Sequence, residues 1–479
     1  MRLQSGRRTS TTRGLTIAAF ALVAACNEPP NVAEVWVTTG DQSKLLAREP
    51  DAPISAATTD TAFGTAYIDV DATTAHQEIV GFGASITDAS AWLIQTKLSA
   101  AQRDSLLRDL FGRTPGIGLS FTRLTIGASD FSRAHYTLDD VPAGETDPAL
   151  TRFSIEANRA DLLPVVTQAR AINPALSVMA SPWSAPAWMK SSRSLYKGTL
   201  RLDAYPAFAE YLRRYVEAYA AEGVPIVAIT VQNEPHHEPD DYPGMRLTPA
   251  QRADFYRNHL GPLFARTATR TQILDWDHNW DEPGSPLAVL ADTAARKWVA
   301  GIAWHCYAGD VTAQTTVHDA HPDKDAYFTE CSGGAWAPVW GDNLKWITRT
   351  LIIGSTRGWA RGVLLWNLAL DEAHGPHLGG CGNCRGVVTI DSRTGAVTRN
   401  VEYYALAHAS RFVVPGARRI ASTRAAEGVE SVAFLNPDGS KALVVVNTAS
   451  AARDVAVRDG ARSFRSAMPA GAVATFVWR

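Results

Sequence analysis

Short apolar segments alternate with longer amphipathic stretches between residues 81 and 367 of this 479-residue chain. A representative amphipathic stretch, 206–221, repeats its large apolar side chains at helical spacing. Strands that alternate with helices favour a parallel sheet, and eight strand–helix units over about 300 residues are typical of a (β/α)8 TIM barrel. The sequence therefore predicts an α/β fold built on such a barrel. The eight predicted strands are 81–87, 120–126, 177–181, 226–232, 272–276, 301–306, 326–329 and 362–367.

The pattern changes near residue 412, where short β-rich segments separated by turns replace the strand–helix alternation. Two segments nearer the start of the chain, 32–46 and 66–70, have the same strand-like composition. We therefore predict a smaller antiparallel β-sandwich domain built from the C-terminal segment and N-terminal strands. The predicted divisions are a signal peptide with a lipobox cysteine at 1–26, a tether and sandwich strands at 27–77, the barrel at 78–408 and the C-terminal sandwich at 409–479.

The first residues have the composition of an export signal. Arginines up to Arg13 precede an apolar run, 15–25, that is too short to span a bilayer as a helix. The small residues of Val23-Ala-Ala-Cys26 resemble the cleavage site of bacterial lipoproteins. We expect Cys26 to be lipidated and the protein to be an exported lipoprotein of the cell envelope. The alternative is an ordinary secretory signal cut near Ala25, with a secreted or periplasmic product.

Four further cysteines lie in the part of the chain that would enter an oxidising compartment. Cys381 and Cys384 are separated by two residues, but no thioredoxin-like βαβ pattern surrounds them, so a bridge closing a small loop is the better interpretation. Cys306 and Cys331 lie at or just beyond predicted strand ends, and either a bridge or two free thiols is consistent with these positions. A zinc site that uses all four cysteines is disfavoured because a second CxxC motif is missing.

The charge composition gives no support for a nucleic acid partner. Lysines and arginines number 46 against 48 acidic residues, for a net charge of −2. Because no basic block occurs beyond the first 13 residues, nothing in the charge pattern predicts a nucleic acid partner. Membrane contact is expected only through the lipid anchor at Cys26, and the oligomeric state is left open.

Two glutamates follow predicted strands of the barrel. Glu234 lies in an Asn-Glu-Pro corner after the fourth strand, and Glu330 follows the seventh. The C-terminal strand ends of a TIM barrel meet at one mouth, so both carboxyl groups are expected to face the same space. A single glutamate at a strand end is usually a solvated loop acid. A facing pair, however, provides the proton donor and the nucleophile or base that hydrolysis of a glycosidic bond requires.

Four motifs accompany this pair: GFGASITD at 81–88, RLTIGASD at 123–130, SPWSAPAWMK at 181–190 and WNLALD at 366–371. Together with Glu234 and Glu330 they resemble the strand-end motifs of glycoside hydrolase family 30, a group of barrel glycosidases with an acid/base on strand four and a nucleophile on strand seven. The resemblance covers most of the chain after the export signal, and it implies Glu234 as the acid/base and Glu330 as the nucleophile.

The resemblance also implies substrate-binding positions around the two acids. A carboxylate there can accept paired hydrogen bonds from hydroxyls, and an indole offers a flat apolar face to a sugar ring. Core packing for Trp183 and a purely structural role for His305 are the competing interpretations. The implied residues are Asp88, Trp183 and Trp366 around the non-reducing sugar, Asn233 at its 2-hydroxyl, and Tyr242, His305 and Tyr307 beside the acids.

The activity implied by the resemblance is that of a retaining β-glycosidase without a cofactor or a metal site. The expected substrate is a carbohydrate or glycolipid with a β-glucosidic bond, either β-1,6-glucan or a glucosylceramide-like β-glucoside. β-Xylosidase, β-fucosidase and β-1,6-galactanase activities are alternatives within the family. A non-catalytic carbohydrate-binding surface protein is the alternative from another class, and the presence of both Glu234 and Glu330 disfavours it. The sequence does not distinguish endo from exo action.

Overall fold

The structure is a computed structural model that describes residues 1–10, 31–57, 62 and 64–479. Residues 1–10 have no regular secondary structure, and Val32–Arg479 cluster as a single unit. The apolar run 15–25 and Cys26 lie outside the described residues, so the export signal and the lipid anchor stay predictions. Within the described ranges, no helix has both the length and the apolar character needed to cross a membrane.

The barrel is confirmed. Eight parallel strands pair in sequence order and close when the eighth pairs with the first. The strands, one to eight, are Gly81–Ser85, Phe121–Ile126, Ser177–Pro182, Ile226–Thr230, Gln272–Asn279, Val299–His305, Asp325–Glu330 and Ala360–Asn367. The α-helices are Asp88–Thr96, Ala100–Phe111, Leu162–Ile172, Tyr205–Ala221, Pro249–Phe255, Gly261–Arg266, Gly284–Ala291, Thr293–Arg296, Thr312–Ala320, Trp340–Trp346, Ser355–Arg357 and Val401–Ser410, with π-helical segments at Tyr256–Leu260 and Ile347–Gly354.

The second domain takes strands from both ends of the described chain, as predicted. Its strands form one hydrogen-bonded sheet with an apolar core of its own. Most neighbouring strands are antiparallel, but Thr65–Glu78 and Arg453–Asp459 run parallel. Val32–Thr38 pairs with Val473–Trp478, which joins the N-terminal segment to the C-terminus. The strands are Val32–Thr38, Ala47–Pro53, Ser55–Ala56, Thr65–Glu78, Arg418–Ser422, Ala425–Ala426, Val429–Leu435, Lys441–Asn447, Arg453–Asp459, Arg462–Met468 and Val473–Trp478.

The helix Val401–Ser410 joins the barrel to the sandwich. The ring nitrogens of its buried His408 lie 2.8 Å from the Thr38 hydroxyl and 2.9 Å from the Thr475 hydroxyl. Burial lowers the pKa of His408 to about 3, so the ring is neutral at physiological pH and has one donor and one acceptor nitrogen. The division predicted at residue 408 falls inside this helix, and the sheet resumes at Arg418.

The Gly-Phe-Gly motif lets barrel strands one and two approach each other closely. Gly83 pairs with Phe121 of strand two. A Cβ atom at Gly83 would lie 1.9 Å from the Phe121 carbonyl oxygen, and one at Gly81 would lie 2.4 Å from the Ser120 hydroxyl. These distances are far inside van der Waals contact, so a larger residue would push the two strands apart.

Inward-facing side chains form two layers inside the barrel. The lower layer is apolar and buried, and its members come from seven of the eight strands. Because side chains alternate along a strand, the residue two positions further on faces the same interior. Arg123 lies two residues after Phe121, and His305 lies two residues after Ala303. Both are therefore in a second layer, nearer the C-terminal strand ends, and this upper layer carries the polar groups. The lower layer consists of Phe121, Met179, Ala228, Leu274, Ala303, Tyr327 and Leu364.

Two irregularities in the strand pairing change which residues face inward. Between strands five and six the pairing skips Asp277, and between strands six and seven it skips Thr329. An extra residue on one strand breaks the alternation of side chains. As a result Thr329 and Glu330 both reach the upper layer although they are consecutive.

Both cysteine pairs form disulfides: Cys306 bonds to Cys331, and Cys381 bonds to Cys384. The small-loop bridge is thus confirmed, the choice left open at Cys306 and Cys331 is settled as a bridge, and a zinc site using the four cysteines is wrong. The first bridge links the residue after strand six to the residue after Glu330. The second closes a loop whose Cys384–Arg385 segment pairs with Gly333–Gly334.

Candidate active site

Glu234 lies in a strained corner after barrel strand four. Its backbone is left-handed, with a φ of 47°, a conformation that costs a non-glycine residue about 1–2 kcal/mol. The Asn233 amide donates to the Pro182 carbonyl at 2.8 Å, and the Glu234 amide donates to the Asp277 carbonyl at 3.0 Å. These bonds tie the corner to strands three and five, so the neighbouring strands hold the Glu234 carboxyl group at the mouth of the barrel.

Glu330 is the last residue of strand seven, and both of its carboxylate oxygens accept hydrogen bonds. Oε2 accepts from the Arg123 guanidinium at 2.6 Å, and Oε1 accepts from the Tyr307 hydroxyl at 2.9 Å. Burial raises the pKa of Glu330, while the positive charges of His305 and Arg123 oppose the rise. The two donors fix the orientation of the carboxylate.

Arg123 is the buried cation of the site. It lies on strand two, is fully enclosed, and uses its guanidinium to bond four side chains from four other segments. Burying a charge is energetically unfavourable unless the charge is completely paired, so these hydrogen bonds offset the cost of burying the Arg123 guanidinium. Besides Glu330, the guanidinium donates to Asp277 at 2.6 Å, Asn233 at 2.7 Å and Ser181 at 3.1 Å.

Asp277 collects hydrogen bonds from five other barrel strands. Burial by itself would raise the pKa of Asp277, but the charge of Arg123 and the hydrogen bond from His305 bring it far below its usual range. Asp277 therefore remains ionised and holds the surrounding strand ends in register. Its partners are Arg123 at 2.6 Å, Thr230 and Thr329 at 2.7 Å, Ser181 at 2.8 Å and His305 at 3.0 Å.

His305 connects Asp277 to Glu234. Its Nε2 lies 3.0 Å from Asp277 Oδ1, and its Nδ1 lies 3.1 Å from Glu234 Oε1. Burial by itself would lower the pKa of His305, but the charge of Glu330 and the hydrogen bonds to Asp277 and Glu234 raise it to about 9. Burial would likewise raise the pKa of Glu234, but the hydrogen bond from His305 and the charges of nearby histidines lower it to about 2. The opposite directions of these two shifts favour a proton on His305 over one on Glu234, and the two groups share one titrating proton.

The two glutamates are close enough to act on one bond. One carboxylate oxygen of Glu234, one of Glu330 and one ring nitrogen of His305 all lie within 4.8 Å of one another. Retaining glycosidases hold their carboxyl groups about 5–5.5 Å apart, whereas inverting enzymes need about 6.5–9.5 Å to admit a water molecule. The spacing therefore fits direct attack by one of the carboxylates.

The same three side chains are near enough to share a metal ion, but their bonding does not suit one. Both Glu330 oxygens are already bonded, by Arg123 and Tyr307. His305 has a pKa raised to about 9 and so carries protons on both ring nitrogens at neutral pH, where a metal ligand needs a free lone pair. The arrangement is a protonated hydrogen-bond network.

Trp183 and Trp366 form one wall of the site. Their rings stack with centroids 5.0 Å apart and an interplanar angle of 21°. The Arg123 guanidinium lies 4.7 Å from the Trp183 ring centroid and 5.6 Å from that of Trp366. Each tryptophan is only 3% exposed, and the pair packs against the Arg123 guanidinium. Their contact with a sugar stays a prediction.

Asn233, Tyr242 and Tyr307 lie beside the acids as expected. The Asn233 carbonyl oxygen accepts from Arg123, and its amide nitrogen has no acceptor among the residues that the structure describes. That nitrogen is available to a sugar hydroxyl. The Tyr242 hydroxyl lies 3.0 Å from His237 Nε2, and its ring packs against the tryptophan wall. Tyr307 is 46% exposed, so its ring faces solvent while its hydroxyl holds Glu330.

Asp88 is engaged by an ion pair. Its Oδ2 accepts from the backbone amide and Nε of Arg133 at 3.0 and 2.9 Å, and its Oδ1 accepts from Arg133 Nη2 at 2.9 Å. Arg133 also bonds Asp161, which makes this a closed structural cluster. The contact of Asp88 with a sugar stays a prediction, and its carboxylate has few lone pairs left for one.

Asp130, which sequence reasoning did not select, is a further carboxyl group close to the two glutamates. It is buried, and its carboxylate is hydrogen-bonded by the backbone amides of Phe131 and of Asp130 itself, while no side chain among the described residues donates to it. Burial and the charge of Glu330 raise the pKa of Asp130 well above its usual range. A carboxyl group close to Glu234 and Glu330 that has no side-chain donor keeps lone pairs with which it could bond a sugar hydroxyl.

Arg123 and Asp277 were also missed, although the sequence carries a signal for them. Each is a charged residue within a predicted barrel strand, Arg123 in FTRLTI and Asp277 in ILDWDHN. An ionisable residue there must be paired inside the barrel or point to solvent, and the strands of a parallel barrel are buried on both faces. The identity of the partners could not be read from the sequence.

The comparison with known families covers both domains. Residues 79–413 match the glycosyl hydrolase family 30 TIM-barrel domain, and residues 416–476 match the glycosyl hydrolase family 30 beta sandwich domain. The endo-1,6-beta-D-glucanase BGN16.3 of Trichoderma harzianum is 37% identical over 399 residues, which is 78% of each chain. The lysosomal acid glucosylceramidase of Mus musculus is 30% identical over 438 residues, covering 84% of this chain and 81% of that protein.

Among solved structures, the endo-beta1,6-glucanase BT3312 superposes with a TM-score of 0.85 at 31% identity, covering 93% of this chain and 99% of that one. The match extends over both domains, and the two glutamates expected of the family stand together at the barrel mouth. The chain therefore belongs to glycoside hydrolase family 30, a family of retaining β-glycosidases.

Proposed function

We propose that this protein is an endo-acting β-1,6-glucanase in which Glu330 is the nucleophile and Glu234 is the acid/base. The observation that carries the proposal is the close pair of carboxyl groups, with oxygens within 4.8 Å, inside a network that gives each a different set of partners. The choice of β-1,6-glucan follows the relatives, because the endo-1,6-β-D-glucanases of Trichoderma harzianum and Neurospora crassa are 37% and 35% identical to this chain. The glucosylceramidase of Mus musculus is 30% identical.

In the first step the Glu330 carboxylate attacks the anomeric carbon, and the bond from that carbon to the leaving sugar oxygen breaks. Glu234 protonates that oxygen. The proton comes from His305, whose Nδ1 lies 3.1 Å from Glu234. The charge of Glu330 helps to hold this proton on His305. When Glu330 becomes an ester that charge is lost, so the proton is released toward Glu234 as the leaving group needs it.

In the second step water attacks the glycosyl ester, and Glu234 accepts its proton. The ester bond breaks, and the Glu330 carboxylate is restored with the Arg123 and Tyr307 donors in place to stabilise it. Its returning charge raises the pKa of His305 again, so the proton passes back across the Glu234–His305 hydrogen bond. Two inversions at the anomeric carbon give a product with the β configuration of the substrate.

We also propose that the enzyme acts outside the cytoplasm, anchored through a lipid on Cys26. The support is the arginine-rich start, the apolar run 15–25 and the small residues before Cys26. A polymeric glucan is a substrate that an exported enzyme can reach.

The anchor predicts a fractionation result. Cys26→Ala should abolish lipid labelling and move the enzyme out of the membrane fraction, since the chain then lacks its acylated residue. Fractionation with labelled fatty acid measures both. A correctly processed Cys26→Ala protein that stays in the membrane would contradict the proposal.

The substrate assignment predicts a product pattern. Wild-type enzyme should hydrolyse β-1,6-glucan faster than glucosylceramide or the aryl β-glucoside, β-xyloside, β-galactoside and β-fucoside. Endo cleavage should release oligosaccharides of intermediate length first, which chromatography of early time points detects. In NMR spectra of the reaction, the first new anomeric signal should be that of the β product. Glucose as the sole early product, or an α product, would contradict endo action or double displacement respectively.

The two glutamates should respond differently to substitution. Glu330→Gln should reduce turnover of every substrate to background because no nucleophile remains. Glu234→Gln should slow glucan hydrolysis by about 10²–10⁴-fold, the usual contribution of a general acid, yet spare ester formation from an aryl glucoside with a good leaving group. Single-turnover kinetics with both substrates separates these steps.

A matched control is Glu282→Gln. The Glu282 side chain is 49% exposed and bonds His236 outside the catalytic network. This variant should keep wild-type activity. Wild-type rates in Glu330→Gln would overturn the assignment of the nucleophile.

The proton held by His305 predicts a pH effect. Its raised pKa of about 9 means that the proton is present below that pH and is lost as the pH rises through it. In His305→Gln, Glu234 must hold the proton alone, so the alkaline limb of kcat/KM should move to lower pH. A profile of kcat/KM against pH for both enzymes measures the shift. An alkaline limb at the same pH in the variant would show that His305 is not the source of the proton.

A further inference from the structure

The disulfide between Cys306 and Cys331 lies directly next to two groups of the catalytic network. Cys306 follows His305 at the end of strand six, and Cys331 follows Glu330 at the end of strand seven. His305 and Glu330 are the last residues that pair between these two strands. The covalent bond therefore continues the strand pairing by one residue, at the level where the hydrogen-bonded ladder ends.

The backbone pairing around Glu330 is incomplete on both sides. Toward strand six, the pairing skips Thr329, the residue just before Glu330, and such an irregularity disrupts the ladder locally. Toward strand eight, the last pair is Phe328 with Val363, two residues before Glu330. The strand ladders alone therefore leave the residue that carries the proposed nucleophile loosely constrained.

The bridge supplies the constraint that the ladders lack. Cys331 is buried, and its carbonyl accepts from the Trp366 amide at 2.9 Å, which ties it to strand eight. The disulfide ties the same residue to strand six, with a Cα–Cα separation of 5.4 Å to Cys306. This separation is close to the spacing of about 4.7–4.9 Å between paired strands. Glu330 is thus held through the residue that follows it in the chain.

The bridge also restrains Tyr307, which donates its hydroxyl to Glu330 at 2.9 Å. Tyr307 is 46% exposed, so packing restrains only part of its ring. It directly follows Cys306, and its backbone amide donates to the Asn279 side chain at 3.0 Å. Because the bridge joins the residue before Tyr307 to the residue after Glu330, it restrains the donor and the acceptor of this hydrogen bond together.

We propose that the Cys306–Cys331 disulfide is a positioning element for the reaction, which holds Glu330 and Tyr307 in register for attack on the anomeric carbon. The inference rests on the proposed role of Glu330 as nucleophile. A displacement of about 1 Å at a reacting group can cost about 10²-fold in rate. Loss of the bridge should slow formation of the glycosyl ester more than it weakens binding, because most of the residues expected to contact the sugar lie on other strands.

This placement makes the activity depend on the redox surroundings. Both cysteines line a cavity of about 600 Å³, which gives a small dithiol a route to the bond. Reduction by dithiothreitol breaks the sulfur–sulfur bond, leaves two thiols and converts the reductant to its cyclic disulfide. A disulfide oxidant reverses the exchange by accepting two electrons and two protons from the thiols. The chain should therefore reach full activity only in an oxidising compartment, such as the one proposed for it above.

Removal of the bridge tests the positioning role. In a variant with Cys306→Ala and Cys331→Ala, the maximal rate of ester formation from an aryl β-glucoside should fall about 10- to 100-fold. The substrate concentration that gives half of this rate should stay near the wild-type value. Single-turnover kinetics measures both quantities. Circular dichroism and the melting temperature define the range in which the variant is folded, and the rates are compared within that range.

Reduction of the wild-type enzyme gives a second measurement that does not depend on folding of the variant. Dithiothreitol should lower the same rate by a similar factor without changing the circular dichroism, and a disulfide oxidant should restore it. The matched control, Cys381→Ala with Cys384→Ala, lacks the other bridge and should keep this loss on reduction. The variant without Cys306 and Cys331 should show no further loss. Mass spectrometry of alkylated peptides identifies the bridge that is open.

A folded variant that lacks the bridge and forms the ester at the wild-type rate would overturn the inference. A loss that appears only as weaker binding, or a reductant effect that occurs only together with unfolding, would overturn it as well. Wild-type rates in Glu330→Gln contradict the assignment of the nucleophile and this inference with it. An enzyme that Glu330→Gln inactivates, but that opening of the bridge leaves unaffected, contradicts the positioning role alone.

Discussion

The buried guanidinium of Arg123 is the interaction on which the rest of the site depends. It bonds Glu330, Asp277, Asn233 and a serine at once, and two stacked indoles cover it. Burying a charge is unfavourable unless every donor finds an acceptor, so the strand ends that supply those acceptors must meet around it. The same pairing that makes the cation tolerable therefore sets the position of the nucleophile.

In the proposed mechanism, the charge on Glu330 governs proton transfer in the site. Asp277 stays ionised and orients His305, which in turn faces Glu234. Because the charge of Glu330 raises the pKa of His305, forming and breaking the glycosyl ester moves the proton in the direction that each chemical step requires. Two carboxyl groups that both lie at strand ends thus have different hydrogen-bond partners.

Much of the architecture was predictable from the chain. The alternation of apolar segments and helical stretches indicated eight strands, and the barrel closes with strands near those positions. The strand-end placement of Glu234 and Glu330 followed from that fold, because the C-terminal ends of parallel strands share one mouth. Asp88 and Asp130 show the limit of prediction from sequence. Each stands at the end of a strand motif, yet Asp88 is bonded by Arg133 whereas Asp130 lies close to Glu234 and Glu330.

The sequence by itself indicated the fold class, the family and the two glutamates proposed to be catalytic, since periodicity and strand-end motifs are local properties of a chain. Only the tertiary structure decided which charged residues share a network. Skipped pairings at Asp277 and Thr329 reverse the inward and outward alternation that a sequence pattern assumes. Hydrogen-bond partners also come from strands far apart in the chain, so their distances depend on how the barrel closes. For that reason the carboxylate pair could be named in advance, whereas the buried cation that positions it could not.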